Sequence, residues 1–321
     1  MAWDGIIWVK LNRPLTEEEK ARQLKVDVAA SDNAKDDFSV FSMNDVFLES
    51  SNVEFRQRGM LTYGCLFIVA MAVMMAWAAL YALTHIPDNV ASRGELTFGL
   101  IFMGGFFVFA LFIGFIALWG LHQENFTWTR RPVRFNRRAR MVYAFRGAGA
   151  KGVIAVPWDM AFFFVEPRKK DPISQTSSFN IRCHVLDDNR NVVQSFSVGS
   201  RVTTLSAEST EHGGKIVSGL SDQFEYIRRY MDRGPKALSY PELVPTEVSL
   251  ANSMKIWARS GKRMLAERNA FVSLLVLLFS PFAFVTALLH YIGQRTSRQP
   301  VWPDDVLQDC EQAAVDEPLK A

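Results

Sequence analysis

Apolar residues in this chain are gathered into three windows rather than spread along it. The first, Leu61 to Leu83, reads LTYGCLFIVAMAVMMAWAALYAL and holds 23 residues without a charge. The second, Thr97 to Leu121, reads TFGLIFMGGFFVFALFIGFIALWGL, 25 residues and again uncharged. At about 1.5 Å of rise per residue, each is long enough for a hydrocarbon core of roughly 30 Å. A helix buried in a soluble core rarely stays apolar all round for that distance. The short connector, Thr84 to Glu95, forces the two spans into an antiparallel hairpin. Trp77 and Tyr81 toward one end, and Trp119 toward the other, fit interfacial aromatic belts. Ala72, Ala76 and Ala79 have the spacing of a close helix contact, although alanine is also simply common in such helices. The third window, Ala270 to Ile292, is AFVSLLVLLFSPFAFVTALLHYI, interrupted by Ser280-Pro281. A kink at proline is tolerated in a spanning helix, so one kinked span is expected. The alternative is a re-entrant pair of short half-helices.

Between the windows the pattern changes period. Residues 122–267 read as strands first and a helix last. Val133 to Phe145, VRFNRRARMVYAF, is a β-hairpin around Asn136-Arg137-Arg138. Val153 to Val165 is rich in β-branched and aromatic residues, with Pro157 expected at an edge or bulge. Asn180 to Val198 gives two strands around Asp187-Asp188-Asn189-Arg190-Asn191, and Ile181, Cys183 and Val185 alternate with Arg182 and His184 as in a half-buried strand. Then Leu220, Phe224, Ile227 and Met231 fall at helical spacing over 218–232, with Glu225, Arg228 and Arg229 on the other face and Gly234-Pro235 as the stop. In the N-terminal segment, 1–58, Thr16 is a helix cap with Glu17 to Glu19 in the first turn. Residues 27–37 read as a loop, and 38–54 as further strands. The fold class is therefore a membrane α-helical hairpin plus an α+β soluble domain, with a third transmembrane or re-entrant segment at 270–292 and a tail at 293–321. In element order the soluble part, a β-rich barrel or sandwich capped by a helix, resembles pleckstrin-homology-type domains that bacteria attach to membrane hairpins.

Charge orients this arrangement. The net charge of +3 is too small to point to a nucleic-acid partner. Basic residues stand instead beside the apolar windows: Arg56 and Arg58 before the first, and Arg130, Arg131, Arg134, Arg137, Arg138, Arg140 and Arg146 after the second. The connector offers only Arg93. Positive loops stay inside, so the N-terminus and the central domain are expected in the cytoplasm. Lys255, Arg259, Lys262, Arg263 and Arg268 precede the third window, and Arg295 and Arg298 follow it. A single span places the tail outside, a re-entrant one inside, and the charge difference favours the first. The six arginines from Arg130 to Arg140 form a candidate docking site for anionic headgroups or for an acidic partner.

Catalytic chemistry is hard to find. GAGAKG at 147–152 matches GxGxxG, but a strand follows where the dinucleotide fingerprint needs a helix, so the glycines read as a hairpin loop. His85, His122, His184, His212 and His290 show no metal spacing, and Asp187 and Asp188 sit where carboxylates cap turns. Cys65, Cys183 and Cys310 form no CxxC, and a cytoplasmic domain argues against a Cys183–Cys310 disulfide. No catalytic, metal or cofactor residue is assigned, and a non-enzymatic protein is expected. An envelope- or lipid-modifying enzyme built on Glu211 and His212 is the alternative, beside a lipid-sensing scaffold. The windows hold no Asp, Glu, Lys or Arg, which speaks against transport.

Four motifs, NRPLTEEE (12–19), RPVRFNRRARMVYAFR (131–146), VPWD (156–159) and RQPVWPDDV (298–306), resemble an uncharacterised family of bacterial inner-membrane proteins associated with type VI secretion gene clusters. The resemblance covers most of the chain and implies a Gram-negative inner-membrane protein encoded beside secreted antibacterial toxins. Its expected role is that of an immunity or accessory protein whose partners are lipids and a secreted toxin or secretion component. It carries over no catalytic residue.

Overall fold

The computed structural model describes residues 2–3, 8–86, 96–168, 175–266 and 270–315. They form two compact units. One is helical, Gln57–Thr127 with Val248–Arg298. The other combines Met1–Arg56, Trp128–Glu247 and Gln299–Ala321. Arg93 and Arg268, which entered the charge argument, lie outside the described residues.

Three helices of the helical unit are long and apolar enough to cross a membrane. The first two, which follow the short α2 (Val53–Gln57), are α3 (Met60–Thr84) and α4 (Leu96–Glu124). They pack on small residues seven apart: Cys65, Ala72 and Ala79 on one side, Ala110 and Ala117 on the other, all buried. Cβ-sized approaches are filled by Gly114 against Ala72 and Gly120 against the Cys65 sulfur. Ala72 and Ala79 thus make the expected contact, while Ala76 is only half-buried. The third, α7 (Ala270–Arg295), is one continuous helix through Pro281. Proline supplies no N–H for the Leu277 carbonyl, and the Ser280 hydroxyl donates to that oxygen instead, at 2.7 Å. The re-entrant pair of half-helices is not formed.

A fourth helix, α6 (Leu250–Ala266), falls within the 122–267 stretch expected of the soluble region but belongs to the helical unit. Ser249 accepts a hydrogen bond from the Asn252 N–H at its start. Its stripe Leu250, Met254, Trp257, Gly261 and Leu265 has helical spacing, but the basic residues between hide it as an apolar window. α6 runs antiparallel to α7: Ser253 meets His290 (2.9 Å), and Gly261 lies against Val276. α3 is antiparallel to α7 as well, through Tyr63 against Phe282 and Gly59 against His290. The starts of α3 and α6 and the ends of α4 and α7 therefore gather at one end of the unit. There the Glu124 carboxylate accepts the Gly59 N–H (2.6 Å) and the Thr62 N–H and hydroxyl, capping α3 from another helix.

The other unit holds two five-stranded antiparallel sheets, with a small ribbon of β1 (Ala2–Trp3) and β2 (Trp8–Val9). The first sheet has the order β3 (Arg13–Pro14), β12 (Asn191–Thr204), β11 (Ser177–Leu186), β10 (Phe162–Pro167), β4 (Gln23–Leu24). The second runs β5 (Val40–Met43), β6 (Phe47–Ser50), β7 (Val133–Asn136), β8 (Met141–Phe145), β9 (Val153–Pro157). Pro157 closes an edge strand, where a missing donor costs no ladder bond. GAGAKG is the β8–β9 loop, in which the Arg146 and Gly147 N–H groups donate to the Gly152 carbonyl. Val40 and Leu48 continue the sheet from the N-terminal segment, as expected of residues 38–54.

Both sheets share one core with α5 (Glu211–Arg233): Phe135, Trp158, Phe163, Phe196 and Phe224 meet there, with Leu220, Ile227 and Met231 from the helix. The helix begins seven residues earlier than its apolar pattern, because Thr210 caps it by accepting the Gly213 N–H. Glu225, expected on the outer face, is fully buried. The 27–37 loop straps over it: Ala30 donates its N–H to the Glu225 carboxylate, and Arg228 and Arg229 pair with it at 2.8 and 2.7 Å.

Candidate functional site

Side chains of β7 and β8 alternate between the two sides of their sheet. Leu48, Val133, Phe135, Val142 and Ala144 do face the core. The opposite side is covered as well. The tail, read as an appended segment, forms α8 (Asp304–Val315) in the same unit. Trp302 stacks edge-on to Phe145 (5.7 Å) and, with Val306, builds a second small core against Tyr143 and Phe145. The polar side chains of this face answer the tail one by one. Glu49 and Arg134 stand opposite each other on β6 and β7 and form a buried ion pair at 2.9 Å. The Trp302 indole N–H donates to the same Glu49 oxygen at 3.0 Å. The Arg134 guanidinium lies between the Phe47 and Trp302 rings, 4.1 and 4.7 Å from their centroids. Tyr143 donates its hydroxyl to Asp309 at 2.5 Å, and Asn136 donates to the Asp309 carbonyl. Burial, and after it the Asp309 carboxylate, pushes the Tyr143 hydroxyl well above its ordinary value.

The six candidate arginines therefore divide. Arg130 reaches the Gln299 amide oxygen (2.8 Å) and lies over the Phe41 ring. Arg131 pairs with Glu54 at 2.6 Å. Arg134 is the buried member just described. These three hold the unit together. Arg137, Arg138 and Arg140 occupy the β7–β8 turn. Arg137 packs its guanidinium against Gly234, which ends α5, where a cation suits the helix dipole. Arg138 is half-buried. Arg140 is exposed, as is its partner Asp159 at 2.5 Å. The next residue, Met160, is 66% exposed. Trp158, beside it, is anchored in the core, and its N–H donates to the Arg140 carbonyl.

A second polar cluster lies on the outer face of the other sheet, and the sequence pattern did not show it. Arg182 and His184, assigned to the exposed side of β11, are 1% exposed. α1 (Glu17–Ala21) meets this face with Glu19, which completes a capping box with Thr16. Glu19 pairs with Arg13 (2.5 Å) and contacts His184 Nε2 (3.2 Å), and His184 Nδ1 meets the Ser195 hydroxyl (3.0 Å). Arg182 donates to that hydroxyl and pairs with Glu166 at 2.8 Å. Burial pushes the His184 pKa down, against the pull of Glu19. Burial would raise the Glu19 carboxyl, but Arg13 and His184 together hold it well below the usual range. The chain of Ser195, His184 and Glu19 has the spacing of a nucleophile, a base and an orienting carboxylate. However, Ser195 is buried on β12 and its oxygen already accepts from Arg182, so the cluster clamps α1 to the sheet. Glu211 and His212 are exposed in the first turn of α5. Asp187 accepts the Asn191 N–H and closes the β11–β12 turn, as a turn carboxylate does. All three cysteines are free, which excludes the Cys183–Cys310 disulfide.

A set of long apolar helices joined to an α+β unit that is assembled from three separate segments is consistent with a multi-pass membrane protein. The chain belongs to a family of unknown function, DUF6708, whose model matches residues 109–314, more than half of its length. The match runs from within α4 through α8, so the tail helix is part of what defines the family. No curated protein and no solved structure matches the chain.

Proposed function

We propose that this is a non-enzymatic, multi-pass protein of the bacterial inner membrane whose sheet unit binds a protein partner in the cytoplasm. The resemblance in NRPLTEEE and RQPVWPDDV points to an immunity or accessory role beside a type VI secreted toxin. Both motifs have work in the fold: Glu19 clamps α1, and Trp302 docks the tail. The order of strands closed by one helix supports the pleckstrin-homology-type comparison, a module suited to docking.

The observation that carries the reading is the β7–β8 turn. Arg140, paired with Asp159, stands next to the exposed Met160, Trp158 anchors this segment in the core, and Arg138 lies in the same turn. Arginine and methionine are enriched where proteins dock, and the cationic rim selects an acidic surface. The test is a mild-detergent pull-down of the tagged full chain from its native cell. One stoichiometric partner encoded with a toxin or secretion component is expected, and Arg138→Glu with Arg140→Glu should remove it. A clean preparation, or a partner indifferent to the charge reversal, overturns the reading.

The sidedness of this reading rests on parity. The chain passes between the units at Gln57, Thr127, Val248 and Arg298. All four points lie at one end of the helical unit, where the Arg298 N–H donates to the Thr127 carbonyl at 2.9 Å. α6 leaves that end and α7 returns to it, which supports a tail on the same side as the strands it covers.

A further inference from the structure

We infer that the groove between α6 and α7 is a binding site for one anionic phospholipid, with its acyl chains along the groove and its headgroup at Lys262. The groove has a volume of about 570 Å³, within the range of small-molecule sites. Trp257, Gly261 and Lys262 line one wall, and Val276, Phe279 and Ala283 the other. Gly261 gives it depth, since a Cβ there would meet only Val276, at 3.4 Å.

Three observations select the occupant. First, both walls belong to a unit whose outward side chains are large and apolar. Leu274, Leu277, Leu278 and Phe279 on α7 are each more than half exposed. The medium such a surface requires is lipid, so the groove opens where acyl chains are the solvent. Second, both walls are apolar or aromatic, with Trp257 on one and Phe279 and Ala283 on the other, a lining that suits acyl chains rather than a polar ligand. Third, the rim is cationic, with the exposed Lys262 among the lining residues. A lysine on a long stem snorkels toward a phosphate and discriminates against a zwitterionic headgroup.

The site is independent of the partner surface at Arg138 and Arg140, and its test does not involve that partner. The full chain, purified in mild detergent, is titrated with phosphatidylglycerol and with phosphatidylcholine of the same chains and followed by native mass spectrometry. One phosphatidylglycerol is expected to bind about fivefold more tightly than phosphatidylcholine, the size of a single lysine contact with an anionic lipid. Lys262→Gln should reduce it to the phosphatidylcholine level, and Gly261→Leu should weaken both lipids by filling the groove. Equal binding of the two lipids by the natural chain, or unchanged preference in Lys262→Gln, overturns the inference. Lys262 is exposed, so its variant keeps the test decisive even where Gly261→Leu disturbs the helix pair.

Discussion

Single residues carry much of this structure, and Gly59 shows how. Its φ is +94°, a conformation that side chains with a Cβ rarely adopt, and an added Cβ would stand 2.7 Å from the Thr286 carbonyl oxygen and 2.8 Å from the His290 nitrogen. Both obstacles are backbone, so neither can rotate away. Gly59→Ala is expected to destabilise the helical unit by about 2 kcal/mol or more, read as a lowered unfolding midpoint in detergent. Gly120→Ala meets only the Cys65 sulfur, a side-chain end, and should cost less. Equal midpoints for the two variants would refute the backbone argument. Titratable residues give a second signature. His184 binds its proton more weakly when folded than its ordinary 6.5, because of burial. Burial raises the Glu225 carboxyl, but Arg228, Arg229 and the Ala30 N–H outweigh it and hold it at about 2 instead of 4.5. In both cases the unfolded chain takes up protons first, so acid favours unfolding. Stability should fall as pH drops below about 6.5, then fall again from 4.5 toward 2. Unfolding midpoints measured across that range check it, and His184→Gln should flatten the decline that begins near 6.5.

Among the elements, the tail helix is the one whose role the sequence hides. The three apolar windows announce α3, α4 and α7 nearly to the residue, because nothing but lipid tolerates so long an uncharged run. Thr16, the β7–β8 hairpin and the core stripe of α5 were equally legible, since each is a local pattern. What escaped was long-range pairing. Nothing near them in sequence covers Glu49, Arg134, Asn136 and Tyr143, and only the return of Trp302 and Asp309 from the far end of the chain makes their side of the sheet a second core. His184 and Glu225 misled in the same way, each with a partner more than 150 residues distant, in Glu19 or in the 27–37 strap, while Arg182 is buried between Glu166 and Ser195 of the neighbouring strands. Of the six candidate arginines, Arg130, Arg131 and Arg134 prove to be ties within the fold. Trp302→Ala is expected to free α8, as removing a buried tryptophan costs about 3–5 kcal/mol. Cys310, buried beside Arg134 with its thiol pushed up by burial, reports the release. Maleimide labelling of Cys310 in the folded protein should rise at least tenfold, with Cys183 still protected. Unchanged labelling would mean that α8 stays docked without its indole anchor.

At the scale of the whole molecule, the decisive feature is that a compact unit cannot have one of its parts across a bilayer from the rest. The tail covers a sheet built from residues 40–50 and 133–157, and the helical unit receives and returns the chain at one end only. Three long apolar helices suggest an odd number of crossings, with the tail outside. α6, shorter and basic, is antiparallel to α7, and parity becomes even only if it accompanies α7 across. The arrangement also places Lys262 beside the third apolar helix, at the groove, so the absence of charge from the three windows does not make the membrane unit free of charge. Single cysteines introduced at Ser31, in the α3–α4 connector at Ser92, and near the tail at Ser297 decide the matter in intact cells of a Gram-negative host. With the native cysteines replaced, a membrane-impermeant maleimide should label the connector position and leave both Ser31→Cys and Ser297→Cys unlabelled until the cells are opened. Labelling at Ser297→Cys alongside the connector would give α7 an unaccompanied crossing. The docking of Trp302 on the sheet would then be untenable in the membrane.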